Sequence, residues 1–432
     1  MIKPAEYARR RRQMMRTLGE GAIVVVPGAV TKLRNGDVAY PFRQQSDFQY
    51  LAGFSEPDAV LVLAPGRERG ECVLFCRPRD RKTELWDGPM VGLRGAVRHY
   101  GMDEALPIKE LDTVMPGLLA GRERLYYPVG QDRHFDHRVL EWADTARQRK
   151  NSERPPEEFI SLDHHLHDMR LYKSTAEVRS MARSAKIAAQ AHVSAIRRCR
   201  PGMMEYQLRA ELLRVMHEQN AEASYAPIVG GGPNSCVLHY ISCQERLNDG
   251  DLVLVDAGAE YDHYASDITR TYPVNGKFTD EQRAVYDIVL SAQEAAIAAA
   301  RPGASWSAPH DAAVREITRG LLRLKLIEGR LNTAIRRRSY EKYFMHKTGH
   351  WLGMDVHDVG DYEVHGEARE LEVGMALTVE PGLYLGSGRH VPARFRNIGI
   401  RIEDSIVIRR DGPQVLSSDV PKQAKEIEAL MA

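Results

Sequence analysis

One pattern occurs twice in this chain and limits its possible folds more than any other feature. Residues 250–258 read Gly-Asp-Leu-Val-Leu-Val-Asp-Ala-Gly, and residues 374–382 read Gly-Met-Ala-Leu-Thr-Val-Glu-Pro-Gly. Each is a glycine, an apolar strand, a carboxylate, one further residue and a glycine. The helical segments ahead of them repeat as well. Ser174-Thr175-Ala176-Glu177 has capping-box spacing and opens a helix with Val178, Met181, Ala185, Ala188 and Ala195 on one face. Arg200-Pro201-Gly202 stops it, and a second helix follows with Leu208, Leu212 and Val215. In the later half Thr279 and Gln282 cap a helix bearing Val285, Ile288, Ala292 and Ala296, which ends at Arg301-Pro302-Gly303. The next helix carries Val314, Ile317, Leu321 and Leu324. The expectation is a duplicated unit, two helices and then strands, in which a pseudo-twofold axis sets Asp256 against Glu380.

Two further carboxylates adjoin strand-forming residues: Asp267 in Ala265-Ser266-Asp267-Ile268-Thr269-Arg270, and Glu403 in Ile400-Arg401-Ile402-Glu403-Asp404. A buried, unpaired charge costs several kcal/mol. Four anions on facing strands would repel unless cations neutralise them, and two divalent ions supply the matching charge. Histidine use is uneven too. The segment 346–358 holds His346, His350 and His357, while His239 stands alone before Tyr240. His164, His165 and His167 read as surface residues of a linker.

Several patterns carry little. Cys236, His239 and Cys243 mimic part of a zinc site, but no second Cys/His pair follows at finger spacing. Gly230-Gly231-Gly232-Pro233 lacks what a phosphate loop requires and reads as a flexible turn. No Gly-x-Ser-x-Gly elbow of a serine hydrolase is present.

Ahead of the repeat, Gly21–Val26, Ala59–Leu63 and Cys72–Phe75 are short buried-strand patterns. With helical patterns at 4–18 and 137–148 they predict an α/β domain that offers no chemistry of its own. The basic run Arg9 to Arg12 reads as a solvated helix face. A polar stretch from Asn151 to Glu158 precedes the boundary, placing an N-terminal domain at 1–171 and a second domain at 172–432. Sixty basic against 59 acidic residues in 432 give a net charge of +1, which provides no field for nucleic acid or anionic lipid. No apolar run approaches the ~18 residues of a membrane span. Met1 to Glu6 lacks a signal-peptide core, and five cysteines are too few for a disulfide framework. A reduced, cytoplasmic protein is expected.

Val255-Asp256-Ala257-Gly258 with Asp267, His346-Lys347-Thr348-Gly349-His350-Trp351-Leu352-Gly353, Thr378-Val379-Glu380-Pro381-Gly382 and Gly399-Ile400-Arg401-Ile402-Glu403-Asp404 together resemble the motifs of the pita-bread metallopeptidases, and most of all the aminopeptidase P branch. The likeness runs the full length and includes Asp37 to Gln44 and Ser46 to Phe48 in the first domain. It implies an α+β pita-bread catalytic domain with pseudo-twofold duplication behind the α/β domain. The implied activity is release of the first residue from peptides with proline second, by two divalent ions, Mn²⁺ foremost. Asp256 would chelate one ion, Asp267 and Glu403 bridge both, and His350 with Glu380 complete the other. Glu380 would also carry the proton, His357 bind the scissile carbonyl, His239 gate or handle protons, and His346 face proline. Arg401 and Tyr384 would support the metal carboxylates. Lys347 stands where many relatives have a small residue. The implied partners are peptides with an Xaa-Pro N-terminus, and the implied assembly a homodimer or homotetramer. A prolidase shares the ligand set and is the nearest alternative. A non-catalytic pita-bread binding module should have lost several ligands.

Overall fold

The computed structural model describes residues 2–149 and 154–432. Asn151 to Glu153, the start of the expected polar stretch, lie outside the described residues. The chain forms two compact units, Met1–Met169 and Arg170–Ala432.

The first unit is built on a mixed sheet of six strands. Their spatial order is Glu104–Pro107, Cys72–Cys76, Val60–Leu63, Ala22–Pro27, Arg124–Tyr127 and Glu158–Ser161. The middle pairs are antiparallel and the outer ones parallel. The three apolar runs of the sequence form the buried centre of this sheet. The other strands have four residues each and mix Glu, Pro, Arg and Tyr, so no apolar run announces them. Leu111, Met115, Phe135, Val139 and Trp142, from helices Leu111–Leu119 and Arg133–Gln148, pack on Ile23, Val25, Val62 and Phe75.

The basic run departs from expectation. In helix Pro4–Leu18, Arg10 and Arg11 are fully buried. Arg10 donates to the Tyr50 carbonyl at 3.0 Å, and Arg11 donates to those of Leu51, Tyr100 and Gly101 at 2.9, 3.2 and 2.9 Å. These guanidiniums cap the ends of helices Ser46–Ala52 and Gly92–Tyr100 inside the unit; they are not a solvated face. Charge counting misses this because a carbonyl partner leaves no trace in composition. The three histidines predicted as linker surface lie in helix Asp163–Leu171, with His164 exposed and His165 and His167 half-buried.

The second unit contains the duplication. Ser174 and Thr279 form capping boxes with Glu177 and Gln282, opening helices Thr175–Arg198 and Asp280–Ala299. Their partners are Glu205–Glu218 and Ala308–Arg323. In the first half, strand Leu252–Asp256 lies between Ile228–Gly231 and Thr269–Pro273. In the second half, Ala376–Val379 pairs with Asp404–Arg409, and Gly382–Leu385 pairs with Ile398–Arg401. The glycine-rich segment is a correction. Gly230 and Gly231 sit in a buried strand opposite Leu254 and Val253, and Gly232 opens a 3₁₀ turn.

The repeated carboxylate-x-glycine has a steric cause. A Cβ on Gly258 would stand 1.7 Å from the Ser266 carbonyl oxygen, and one on Gly382 would stand 2.9 Å from that of Ile400. Only glycine lets the chain reverse tightly behind each carboxylate. The halves are then tied together by the backbone. Glu403 donates its N–H to the Thr269 carbonyl at 3.1 Å, and the Asp267 N–H donates to the Ser405 hydroxyl at 3.1 Å. Arg270, fully buried, donates to the Glu403 carbonyl at 2.6 Å, to Asp404 at 2.8 Å and to the Val420 carbonyl at 3.0 Å.

Arg270→Met keeps the volume of this tie but leaves the Asp404 carboxylate and several buried carbonyls short of donors. The expected loss is ~3–5 kcal/mol, as for a broken buried ion pair. Urea unfolding of metal-chelated wild type and variant measures it, and a loss below ~1 kcal/mol would contradict this role.

Candidate functional site

The seam between the two halves opens into a pocket of about 1250 Å³, continuous with solvent. Asp256, Asp267, Glu380 and Glu403 all line it, with His239, His346, His350, His357 and Arg401. Nine of the ten residues singled out by sequence therefore face one cavity. The tenth, Tyr384, is buried directly behind it.

Each side chain arrives through a specific local structure. Asp256 ends its strand, and Glu380 follows the strand Ala376–Val379 immediately. The segment before His350 runs beside that second strand. The Glu380 N–H donates to the Thr348 carbonyl at 2.8 Å, and the Thr378 N–H donates to that of His350 at 3.0 Å. A Cβ on Gly349 would stand 2.1 Å from the Thr378 carbonyl oxygen, so glycine is required for this approach. His350 Nδ1 lies 2.9 Å from the Trp351 carbonyl, which makes it the N–H of the neutral ring. Nε2 is thereby turned inward, 3.4 Å from Asp267 Oδ2 and 3.7 Å from Glu380 Oε1.

Donor atoms of Asp267, His350 and Glu403 lie within 4.8 Å of one another. Tyr225 adds a contact with no signal in the sequence. Its hydroxyl lies 2.5 Å from both Asp256 Oδ1 and Asp267 Oδ1, and it has one proton to give. Thr269 is a second such residue, donating its hydroxyl to Glu403 Oε2 at 2.6 Å. Arg401 is the hub of the wall. It donates to Asp256 Oδ2 at 2.5 Å, to the Tyr384 hydroxyl at 3.0 Å and to the Thr269 hydroxyl at 3.2 Å. The Tyr384 hydroxyl in turn lies 2.9 Å from His346 Nε2, while His346 Nδ1 lies 2.7 Å from the Lys347 carbonyl. A carbonyl only accepts, so Nδ1 carries the proton and Nε2 accepts from tyrosine. Burial and then Arg401 push the His346 ring down to about 4, which holds it neutral.

The electrostatics show what the cluster lacks. Burial, followed by the neighbouring carboxylates, pushes Glu403 well above the usual carboxylate range. Burial raises Asp256 too, although Arg401 opposes it, and raises Glu380 to about 7 against the pull of His350 and Arg401. His350 is lowered by burial, yet Asp267 and Glu380 carry it up to about 9. Four carboxylates face one guanidinium and one imidazole, so the protein's own cations do not balance the site. The donor set of four carboxylates and an inward Nε2 fits divalent cations, and it contains no thiolate. By contrast, Cys243 Sγ points to the Pro227 carbonyl at 3.8 Å, and the cysteine–histidine pattern at 236–243 builds no site.

Comparison with known proteins agrees in both units. The model of metallopeptidase family M24 matches residues 179–410, and that of the aminopeptidase P N-terminal domain matches residues 7–126. The chain is 42% identical to the Xaa-Pro aminopeptidase of Escherichia coli (strain K12), covering 100% of this chain and 98% of that one. It is 34% identical to Xaa-Pro aminopeptidase 3 of Homo sapiens, covering 99% and 86%. Among solved structures, Pseudomonas aeruginosa aminopeptidase PepP superposes with a TM-score of 0.98 at 50% identity, over 100% and 98% of the two chains. Zn-substituted E. coli aminopeptidase P in complex with product gives 0.96 at 42% identity, over 100% and 98%. The second unit has the pita-bread fold of these proteins.

A pH prediction follows for the metal-free protein. Glu380, Glu403 and His350 all keep protons to higher pH folded than unfolded. The folded chain then binds more protons than the unfolded one, so these groups withdraw stability as pH rises. Below about pH 6.5 the buried neutral rings of His192 and His346, each near 4, act in the opposite sense. The informative window is therefore roughly pH 7–9, up to the raised His350 value of about 9. Denaturant midpoints of chelated protein should fall across it relative to metal-loaded protein. Parallel curves would contradict the charge imbalance.

Proposed function

The chain belongs to metallopeptidase family M24, and on that premise we propose that it is a dinuclear-metal Xaa-Pro aminopeptidase acting through the residues of this pocket. The observation that carries the reading is the charge deficit: four carboxylates converge on one cavity, and among the described residues Arg401 is the one buried guanidinium bonded to them there. Asp256 would hold one ion, Asp267 and Glu403 both, and His350 with Glu380 the other. Hard oxygen donors favour Mn²⁺ over a structural-type zinc. When bound, the ions supply Lewis acidity and lower the pKa of water towards neutrality.

The remaining roles belong to the chain. Glu380, facing the cavity beside His350, is the carboxylate assigned to take a proton from the attacking water and pass it to the proline nitrogen. His357 lies edge-on to His350 at 4.3 Å between ring centroids, and burial and then His350 lower its pKa. A neutral ring N–H there can donate to the scissile carbonyl as negative charge develops. His239, exposed on another part of the wall, is placed to gate the entrance or relay protons. His346, fixed through Tyr384, forms the wall beside proline. The proline nitrogen has no N–H to offer, so recognition must rest on ring shape. The apolar lining of Ala226, Ile228, Leu238, Ile241 and Val356 suits that task.

The prolidase alternative requires a basic group to capture the proline carboxylate. Of its candidates, Arg394 lies over the Phe395 ring at 4.9 Å, Arg396 donates to the Val391 carbonyl at 3.0 Å, and Arg401 is committed to the wall. This supports the aminopeptidase. The domain division at 1–171 and 172–432 is part of the proposal, as is a cytoplasmic location, supported by five free cysteines. No helix among the described residues is long and apolar enough to cross a membrane. A homodimer or homotetramer is supported by exposed Leu85 and Trp86.

Two experiments test the assignment. Asp267→Asn and Glu403→Gln should each lose most activity on an Xaa-Pro-Yaa tripeptide, and about one equivalent of metal, with the fold retained. Full activity in either variant would refute the ligand set. His357→Ala should lower kcat by roughly 10²–10³, the effect of losing an oxyanion donor, while metal content stays constant. Loss of metal would make His357 a ligand instead.

A further inference from the structure

The pocket is charged unevenly, and its rim carries a feature the mechanism leaves unused. Asp256, Asp267, Glu380 and Glu403 make one region strongly acidic. Two permanent cations, Arg401 and Lys347, also line the cavity. The guanidinium of Arg401 is buried and committed to Asp256, Tyr384 and Thr269. Lys347 is exposed and makes no ion pair among the described residues. Its backbone is nonetheless anchored on both sides. Its carbonyl accepts from His346 Nδ1 at 2.7 Å, and the next carbonyl, that of Thr348, accepts from the Glu380 N–H at 2.8 Å. The neighbouring Thr348 hydroxyl lies 2.8 Å from His310 Nδ1. Lys347 also lines a smaller adjoining cleft with Trp306, His310 and Thr348. A mobile ammonium is thus tethered at a fixed place on the wall, one residue beyond the histidine assigned to proline.

We propose that Lys347 is a specificity-determining residue that receives a carboxylate on the leaving side of proline, from the C-terminus of a tripeptide or from an acidic third residue. The inference rests on the aminopeptidase reading above, in which the substrate amine sits at the acidic region. A short peptide is then a dipole laid along a pocket of opposite polarity, its cationic end towards the carboxylates and its anionic end towards Lys347. Because the lysine is exposed and flexible, the pairing gives a preference and excludes nothing. Longer peptides still enter, without that contact.

The test compares Xaa-Pro-Ala as free acid and as C-terminal amide, and Xaa-Pro-Glu amide against Xaa-Pro-Gln amide, all with manganese-loaded enzyme. An exposed ion pair corresponds to about a three- to fivefold preference. Wild type should show it in kcat/KM, carried by KM, for at least one of the two pairs. The preference should shrink as salt is raised. Lys347→Gln should bring the preferred ratio to about one, and Lys347→Arg should retain it. The pair that responds identifies the source of the carboxylate. A ratio near one in wild type, or one unchanged in Lys347→Gln, would overturn the proposal. Failure of wild type to cut any of these tripeptides would instead refute the underlying aminopeptidase reading.

Discussion

The site depends on one guanidinium. Arg401 is almost completely buried, although it lines the pocket. It reaches Asp256 of the first half, Thr269 beside the seam and Tyr384 of its own half. An ion buried in this way is costly unless its hydrogen bonds are made, and here each nitrogen of the fork finds an acceptor. The arrangement fixes the direction of a whole chain of donors, from Arg401 to the tyrosine hydroxyl, from there to His346, and from His346 to a backbone carbonyl. It also leaves most of the carboxylate charge uncompensated. A second arginine in the wall would have offset more of that charge and weakened the pull of the site on cations.

Duplication explains where this imbalance arises. Each half places a carboxylate at the end of an apolar strand and reverses behind it at a glycine that tolerates no side chain. Each half also supplies a carboxylate near the start of a returning strand, Asp267 in one and Glu403 in the other. The halves meet through backbone bonds from Glu403 to Thr269 and from Asp267 to Ser405, so the carboxylates gather where the halves join. Buried Arg270 pins that join, and Asp404, paired with Arg270 and Lys422, is held below the usual carboxylate range despite its burial. Adjacent acidic residues therefore have opposite fates. Asp404 is neutralised by the protein's own cations, whereas Glu403 sits among carboxylates that, with burial, push its pKa up.

The sequence was most legible where pattern and chemistry coincided. Capping boxes at Ser174 and Thr279, the two strand-carboxylate-glycine repeats and the histidine cluster can each be read from local spacing. The pocket gathers these residues as the repeat implied. Tyr225 and Thr269 were missed because their importance lies in partners far along the chain, Asp256, Asp267 and Glu403, and ordinary strand or loop composition surrounds them. The burial of Arg10 and Arg11 was illegible for a related reason: their partners are backbone carbonyls, which every residue possesses. Strands such as Glu104–Pro107 and Glu158–Ser161 owe their conformation to neighbours in the sheet more than to their own apolar pattern.

Four histidines line the pocket, and their surroundings divide the labour among them. His350 offers Nε2 to the carboxylates because its other nitrogen is held by the Trp351 carbonyl. His346 has the same Nδ1-to-carbonyl device, but its Nε2 meets a tyrosine hydroxyl. The first ring is pulled towards the cationic form by anions, and the second is held neutral by burial and by Arg401. A neutral, apolar-backed ring suits a proline wall, whereas an inward Nε2 among anions suits a metal. One residue type in two similar backbone settings is thus held in two different charge states, and the difference lies in which charge stands opposite.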